Sequence, residues 1–134
     1  MILVDTSAWI DYLRAAGTQA DEWLTTALET PEVVVVMCEP VAMEVLAGPT
    51  ADRVVTDHER LVDSFDSLDV DPALDFRAAA AIYRDVRRSG RTPRSMVDCL
   101  IAGIALRHGV AVAHKDEDFE VIAELTGLRT ISLL

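Results

Sequence analysis

One lysine, Lys115, and two cysteines, Cys38 and Cys99, are all that the 134 residues contain of those types. The two cysteines form no C-x-x-C pair, and His58, His108 and His114 stand at no spacing that would complete a zinc site with them. A zinc centre is therefore disfavoured, and the expected state is two reduced, buried thiols. Aromatic residues make up only 5% of a chain that is 51% hydrophobic, so the core must be built from Val, Leu, Ile and Ala. Such aliphatic interiors suit helices laid over a buried sheet. No apolar run approaches the roughly 20 residues of a membrane span. Ile2-Leu3-Val4 leads straight into Asp5-Thr6-Ser7 rather than into a secretory signal, and a cytoplasmic location is expected. Basic residues are also scarce, with a net charge of −11, which excludes a broadly basic nucleic-acid-binding surface. Five of the 12 basic residues nevertheless fall between positions 84 and 94, as Arg84, Arg87, Arg88, Arg91 and Arg94. A local cluster of this kind can grip a phosphate backbone whatever the total charge.

What is present is an alternation of short apolar runs with amphipathic stretches, without repeats or low-complexity segments. Ile2–Asp5 reads as a buried strand ending in an acid. Helices are expected over Ala8–Ala16 and Ala20–Glu29, then a β-branched strand over Val33–Met37. Pro40 opens a helix that runs to Gly48, and a further helix covers Asp52–Phe65. A short strand lies near Leu68–Val70. A long helix spans Pro72–Ser89, with Leu74, Ala78, Ile82 and Val86 on one face. Thr92-Pro93 opens the next helix, which ends near His108-Gly109. A strand over Val110–Ala113, a helix over Glu117–Leu125 and a strand over Thr130–Leu133 complete the chain. The expected fold class is α/β, a three-layer α/β/α arrangement around a central, mainly parallel sheet.

Ligands of such sheets bind beyond the carboxyl ends of the strands, and four acids satisfy that demand. Asp5 ends the first strand, and Asp116 follows the fourth. Glu44 lies on the helix leaving the second strand. Asp98 lies near a helix start, surrounded by Met96, Val97, Cys99, Leu100, Ile101 and Ala102. Taken singly, each acid has a plain explanation: Asp5 and Asp116 as helix caps, Glu44 as a surface residue, Asp98 as a helix-start charge. Together they are harder to explain away. Two carboxylates about 4 Å apart repel by about 4 kcal/mol at an effective dielectric constant near 20, and a divalent cation removes that repulsion. An all-oxygen donor set without thiolate or paired histidine selects Mg²⁺ or Mn²⁺. Such an ion lowers the pKa of a water and neutralises charge on a phosphate under attack, so no protein nucleophile is needed. Thr6 and Ser7 can orient the first carboxylate or its water, or cap the helix. His114 reads as a core histidine at a strand end.

The ordered set of motifs resembles the PIN-domain nucleases, in particular the VapC-type toxins of bacterial VapBC toxin–antitoxin pairs. Asp5-Thr6-Ser7 follows the first strand directly. Met43-Glu44-Val45-Leu46-Ala47-Gly48 has the glutamate with a glycine four residues on. Asp98-Cys99-Leu100-Ile101-Ala102 has the aspartate followed by an Ile-Ala pair. His114-Lys115-Asp116-Glu117-Asp118-Phe119 resembles the terminal acidic element. The resemblance covers nearly the whole chain and implies one PIN-like nuclease domain over residues 1–134. It implies a Mg²⁺- or Mn²⁺-dependent endoribonuclease that forms a homodimer and is inhibited by a cognate VapB-like antitoxin. Asp5, Glu44 and Asp98 would be the core ligands, with Asp116, or Asp118 two residues away, as the fourth acid.

If the long helix persists to its end, Arg77, Arg84, Arg88 and Arg91 form one stripe. That stripe and Arg94 are expected to contact RNA or the antitoxin. A phosphatase of the haloacid-dehalogenase type also places an aspartate after its first strand. That chemistry needs a second acid two residues later, where this chain has Ser7. The remaining alternative is a non-catalytic Mg²⁺-binding phospho-acceptor or protein-interaction module, whose mark would be a late-strand lysine beside the acids. Lys115 is the one residue that could serve. Trp9, Ile10, Tyr12, Leu13 and Trp23 supply apolar surface for either core or dimer interface.

Overall fold

The computed structural model describes all of residues 1–134. Five strands and seven helices follow in the order β1 (Ile2–Val4), α1 (Thr6–Leu13), α2 (Gln19–Glu29), β2 (Val35–Cys38), α3 (Glu39–Ala47), α4 (Asp52–Asp63), β3 (Ser67–Leu68), α5 (Asp75–Arg88), α6 (Met96–His108), β4 (Ala111–His114), α7 (Glu117–Thr126) and β5 (Thr130–Ser132). The strands form one sheet in the order β3-β2-β1-β4-β5, and every pairing is parallel. Parallel neighbours require crossovers, which the helices supply. A parallel sheet covered by helices also explains strands with no polar face: β2 is buried at all four positions.

The chain builds outward from β1 on one side through β2 and β3. It then returns to the other side of β1 to lay down β4 and β5. The reversal falls between β1 and β4, whose register pairs Val4 with Ala113. A crevice at the carboxyl edge is the geometric consequence. Because each helix runs back against its strands, the N-termini of α1, α6 and α7 gather at the same edge.

Thirty buried apolar residues make one continuous core. Trp9 is fully buried there, edge-on to Tyr12 at 5.8 Å and to Phe65 at 5.3 Å between ring centroids. Both cysteines are free and buried, and burial pushes the thiols of Cys38 and Cys99 up to about 12 and about 11. They are inert thiols, as their isolation in the sequence implied.

Among the boundaries that differ from those read off the sequence, three helix starts have a clear local reason. The first helix begins at Thr6 because Asp5 itself caps it, accepting from Ser7 N–H at 3.0 Å. Helix α6 begins at Met96 rather than at Thr92-Pro93, because Ser95 is the cap and accepts from Val97 N–H at 3.1 Å. Helix α5 begins at Asp75 and stops at Arg88, with Gly90 beyond it at φ +92°. Its buried face is Asp75, Ala79, Ile82 and Val86, while Leu74 precedes the helix and is exposed.

Candidate metal centre

Five carboxylates collect at the carboxyl edge, each brought there by a different local cause. Asp5 directly follows β1 and caps α1. Glu44 lies in the second turn of α3, which follows β2 directly. Asp98 is the third residue of α6, where the helix dipole favours an anion. Asp116 follows β4 and caps α7 by accepting from Asp118 N–H at 2.9 Å, and Asp118 stands in the first turn of that helix. Asp5 and Asp116 are both helix caps, and capping does not take them away from the edge. The N-cap position itself carries their side chains to the edge.

One oxygen from each of Asp98, Asp116 and Asp118 lies within 4.8 Å of the other two. Asp5 and Glu44 adjoin this trio. Burial, then the fields of Asp5, Asp116, Glu44 and Asp118, push the Asp98 carboxyl up to about 8. Asp5 is also raised, chiefly by burial and further by Glu44, although two hydrogen bonds from Ser7 oppose the shift. Of the acids expected to converge, Asp98 and Asp116 lie together with Asp118, and Asp5 and Glu44 stand close enough for their charges to act on Asp98.

A common pattern runs through the site. Asp5 turns Oδ2 to Ser7, accepting from its Oγ at 2.5 Å and its backbone N–H at 3.0 Å, while its buried Oδ1 meets no donor. Glu44 turns Oε1 to the Thr6 hydroxyl at 2.8 Å. Asp116 Oδ1 takes Asp118 N–H at 2.9 Å, and Asp118 Oδ2 takes Arg94 N–H at 2.9 Å. Each of these carboxylates is anchored through one oxygen, and the other is left without a protein partner. Asp98, only 7% exposed, receives no protein donor on either oxygen. A buried, unpartnered carboxylate oxygen is costly in a protein interior. An all-oxygen donor set with free lone pairs and excess negative charge fits a hard divalent cation.

Ser7 does more than its sequence position suggested. Besides donating to Asp5, its hydroxyl accepts from Lys115 N–H at 2.9 Å, tying the turn after β1 to the turn after β4. His114 is fully buried. Its Nδ1 accepts from Asp116 N–H at 3.1 Å and its Nε2 faces Glu120 Oε1 at 2.7 Å, so it braces the start of α7 and stays out of the cleft. Lys115 is drawn to Asp11, with Nζ 2.7 Å from Oδ2, and neutralises none of the five acids.

The arginines divide. Arg84, Arg87 and Arg88 line a shallow surface depression on the last turns of α5. Arg91 leaves the expected stripe, since the helix has ended before it, and pairs with Glu124 at 3.5 Å. Arg94 lies at the acids themselves, 3.3 Å from Asp116 and 4.0 Å from Asp118. No signal within the sequence foretold that contact, because Arg94 stands more than 20 residues from both partners.

A family model described as PIN domain matches residues 2–125. The chain is 52% identical over 132 residues to Ribonuclease VapC11 of Mycobacterium tuberculosis, covering 98% of each. Among solved structures it is similar to the DNA-bound VapBC of Salmonella typhimurium, with a TM-score of 0.75 and 21% identity over 99% of this chain and 98% of that one. It is also similar to VapBC-5 of M. tuberculosis, described as a member of the VapBC family of toxin–antitoxin systems. There the TM-score is 0.65 with 21% identity over 97% and 96%. The chain belongs to the PIN-domain family, within its VapC group. The all-parallel sheet flanked by seven helices is the fold those structures share. No helix is long and apolar enough to cross a membrane.

Proposed function

We propose that this chain is a single nuclease domain over residues 1–134 that hydrolyses RNA phosphodiester bonds internally, with Mg²⁺ as cofactor and Mn²⁺ able to replace it. The observation that carries the reading is the set of half-satisfied carboxylates. Four acids are each anchored through one oxygen, and Asp98 stands among them with no donor. Its membership of the same group as a ribonuclease, at 52% identity over nearly its full length, supports RNA as the substrate.

In this reading Asp5, Glu44, Asp98 and Asp116 hold the ion, and Asp118 completes the acidic wall. When bound, a divalent cation supplies charge neutralisation at the scissile phosphate and lowers the pKa of a water molecule. The chain's own residues do the positioning. Ser7 and Thr6 fix the rotamers of Asp5 and Glu44, so the unpartnered oxygens stay aimed at the cleft. Asp116 is held by its own cap hydrogen bond and by the brace of His114. Carboxylates packed this closely exclude a polyanion until the cation is present, which makes substrate binding conditional on the metal. Arg84, Arg88 and Arg94 supply backbone contacts to RNA or to the antitoxin, and Arg91 serves only once freed from Glu124.

The likeness to VapBC complexes supports a toxin role, with a homodimer held inactive by a VapB-like antitoxin in the cytoplasm. The phospho-acceptor alternative loses its main support, because Lys115 is engaged by Asp11.

The deciding experiment incubates pure protein with total cellular RNA and Mg²⁺ or Mn²⁺, with and without EDTA, and maps the ends formed. Cleavage that EDTA abolishes, and that Asp5→Asn and Asp98→Asn each reduce at least 100-fold, is the expected result. Metal binding without any strand scission by the wild type would overturn it.

A further inference from the structure

Arg94 is the only side-chain cation in ion-pair contact with any of the five acids. Its Nη2 stands 3.3 Å from Asp116 Oδ1 and its Nε 4.0 Å from Asp118 Oδ2. Two other cations are committed elsewhere: Lys115 to Asp11 and Arg91 to Glu124. The backbone at position 94 is tethered, because its N–H donates to Asp118 at 2.9 Å. Buried Pro93 precedes it and the Ser95 cap follows. The side chain is loose by contrast, 72% exposed, and an ion pair so exposed is weak and readily exchanged. A fixed backbone carrying a free guanidinium at the rim of an acid cleft is the geometry of a counter-ion that can step aside. The site it faces has an independent mark of a missing ligand, since Asp5 is 3% exposed and its Oδ1 has no partner.

We propose that Arg94 is a built-in counter-cation of the acid site, exchanging between two anionic partners. Without metal it neutralises Asp116 and Asp118 and holds the cleft together. A divalent ion takes over those carboxylates, the guanidinium is released, and it then binds a phosphate of the RNA strand lying across the rim. Metal loading and substrate capture are thereby coupled through one side chain. The inference rests on the metal-dependent reading given above and adds the device that links its two ligands.

Three measurements on the full chain test it. In calorimetric titration with Mn²⁺, Arg94→Ala and Arg94→Gln each bind the ion about 3–10-fold more tightly than wild type, because the competitor is gone. In the wild type, Mg²⁺ moves the ¹⁵N resonance of Arg94 Nε to that of an unpaired arginine. In steady-state cleavage at saturating Mg²⁺, both variants raise KM for RNA about 10-fold while changing kcat less than 3-fold. Unchanged or weaker Mn²⁺ binding in the variants, or an Nε resonance indifferent to Mg²⁺, overturns the proposal even when the wild type cleaves RNA normally. A wild type that neither binds Mn²⁺ nor cleaves RNA overturns the nuclease reading instead, and this proposal with it.

Discussion

The Thr6 hydroxyl donates to Glu44 Oε1 at 2.8 Å, joining the first residue of α1 to a side chain 38 positions later on α3. Thr6 is buried and Glu44 half-buried, so the bond orients a carboxylate that still reaches solvent. Thr6→Val keeps the shape and removes the donor. The expected result is a roughly 10-fold fall in Mn²⁺ affinity and in kcat/KM, with Thr6→Ser retaining most of both. Equal losses in the Val and Ser variants would show that the hydroxyl has no part in it.

Burial and four neighbouring acids push the Asp98 carboxyl up to about 8, so near neutral pH the metal-free fold must hold a proton there that the unfolded chain gives up, at a cost in stability. Asp98→Asn is expected to abolish cleavage and yet stabilise the protein in EDTA by about 1–2 kcal/mol. Thermal melts with and without Mg²⁺ check this, and metal should raise the wild-type Tm more than the variant's. A variant less stable than wild type in EDTA would mean that the repulsion is already relieved within the fold.

Away from the cleft, Asp75 is 1% exposed and paired with Arg107, whose Nε stands 2.8 Å from Oδ1. The hydrogen bond from Arg107, with help from Asp71 N–H, holds the Asp75 carboxyl below the ordinary 3.8. A depressed folded pKa means that the unfolded chain takes up its proton first as pH falls. The pair's contribution is thus present above about pH 4 and is lost as pH drops through the folded value. Denaturant melts should show wild-type stability declining more steeply below pH 4 than that of Asp75→Asn. Parallel pH profiles would remove Asp75 from the acid response.

Arg84 and Arg88 lie on the exposed end of α5, with Arg88 only loosely paired to Asp85 at 3.5 Å. If they meet RNA phosphates, Arg84→Glu with Arg88→Glu should weaken binding and reduce the slope of log K against log salt by roughly 1.5–2. Binding is best followed in an Asp98→Asn background, where RNA stays intact. Weakened antitoxin binding with an unchanged RNA slope would assign the patch to the antitoxin.

Much of the fold was legible because its cues are local. Val33–Met37 is too β-branched to be a helix, Gly48 and Gly109 stop the helices before them, and strands alternating with helices imply a parallel sheet. The four acids stand out in the sequence because each violates its surroundings or closes a strand. At the start of α6 two neighbouring caps compete, Thr92-Pro93 and Ser95; in the fold Pro93 is buried ahead of the helix and Ser95 makes the cap bond. Arg91 departs from the arginine stripe because the helical spacing continues past Arg88 in the sequence but the helix itself ends there, before Gly90.

Residue order by itself determined the elements, the parallel sheet and the acids that end its strands, because periodicity and capping act within a few residues. Only the tertiary structure decided that Asp118 joins Asp116, that Lys115 turns to Asp11 and that Arg94 closes on the acids. The Arg94 and Lys115 pairings span 22 to 104 residues. They depend on β1 and β4 lying side by side, an adjacency set by how the whole core packs and by no local pattern.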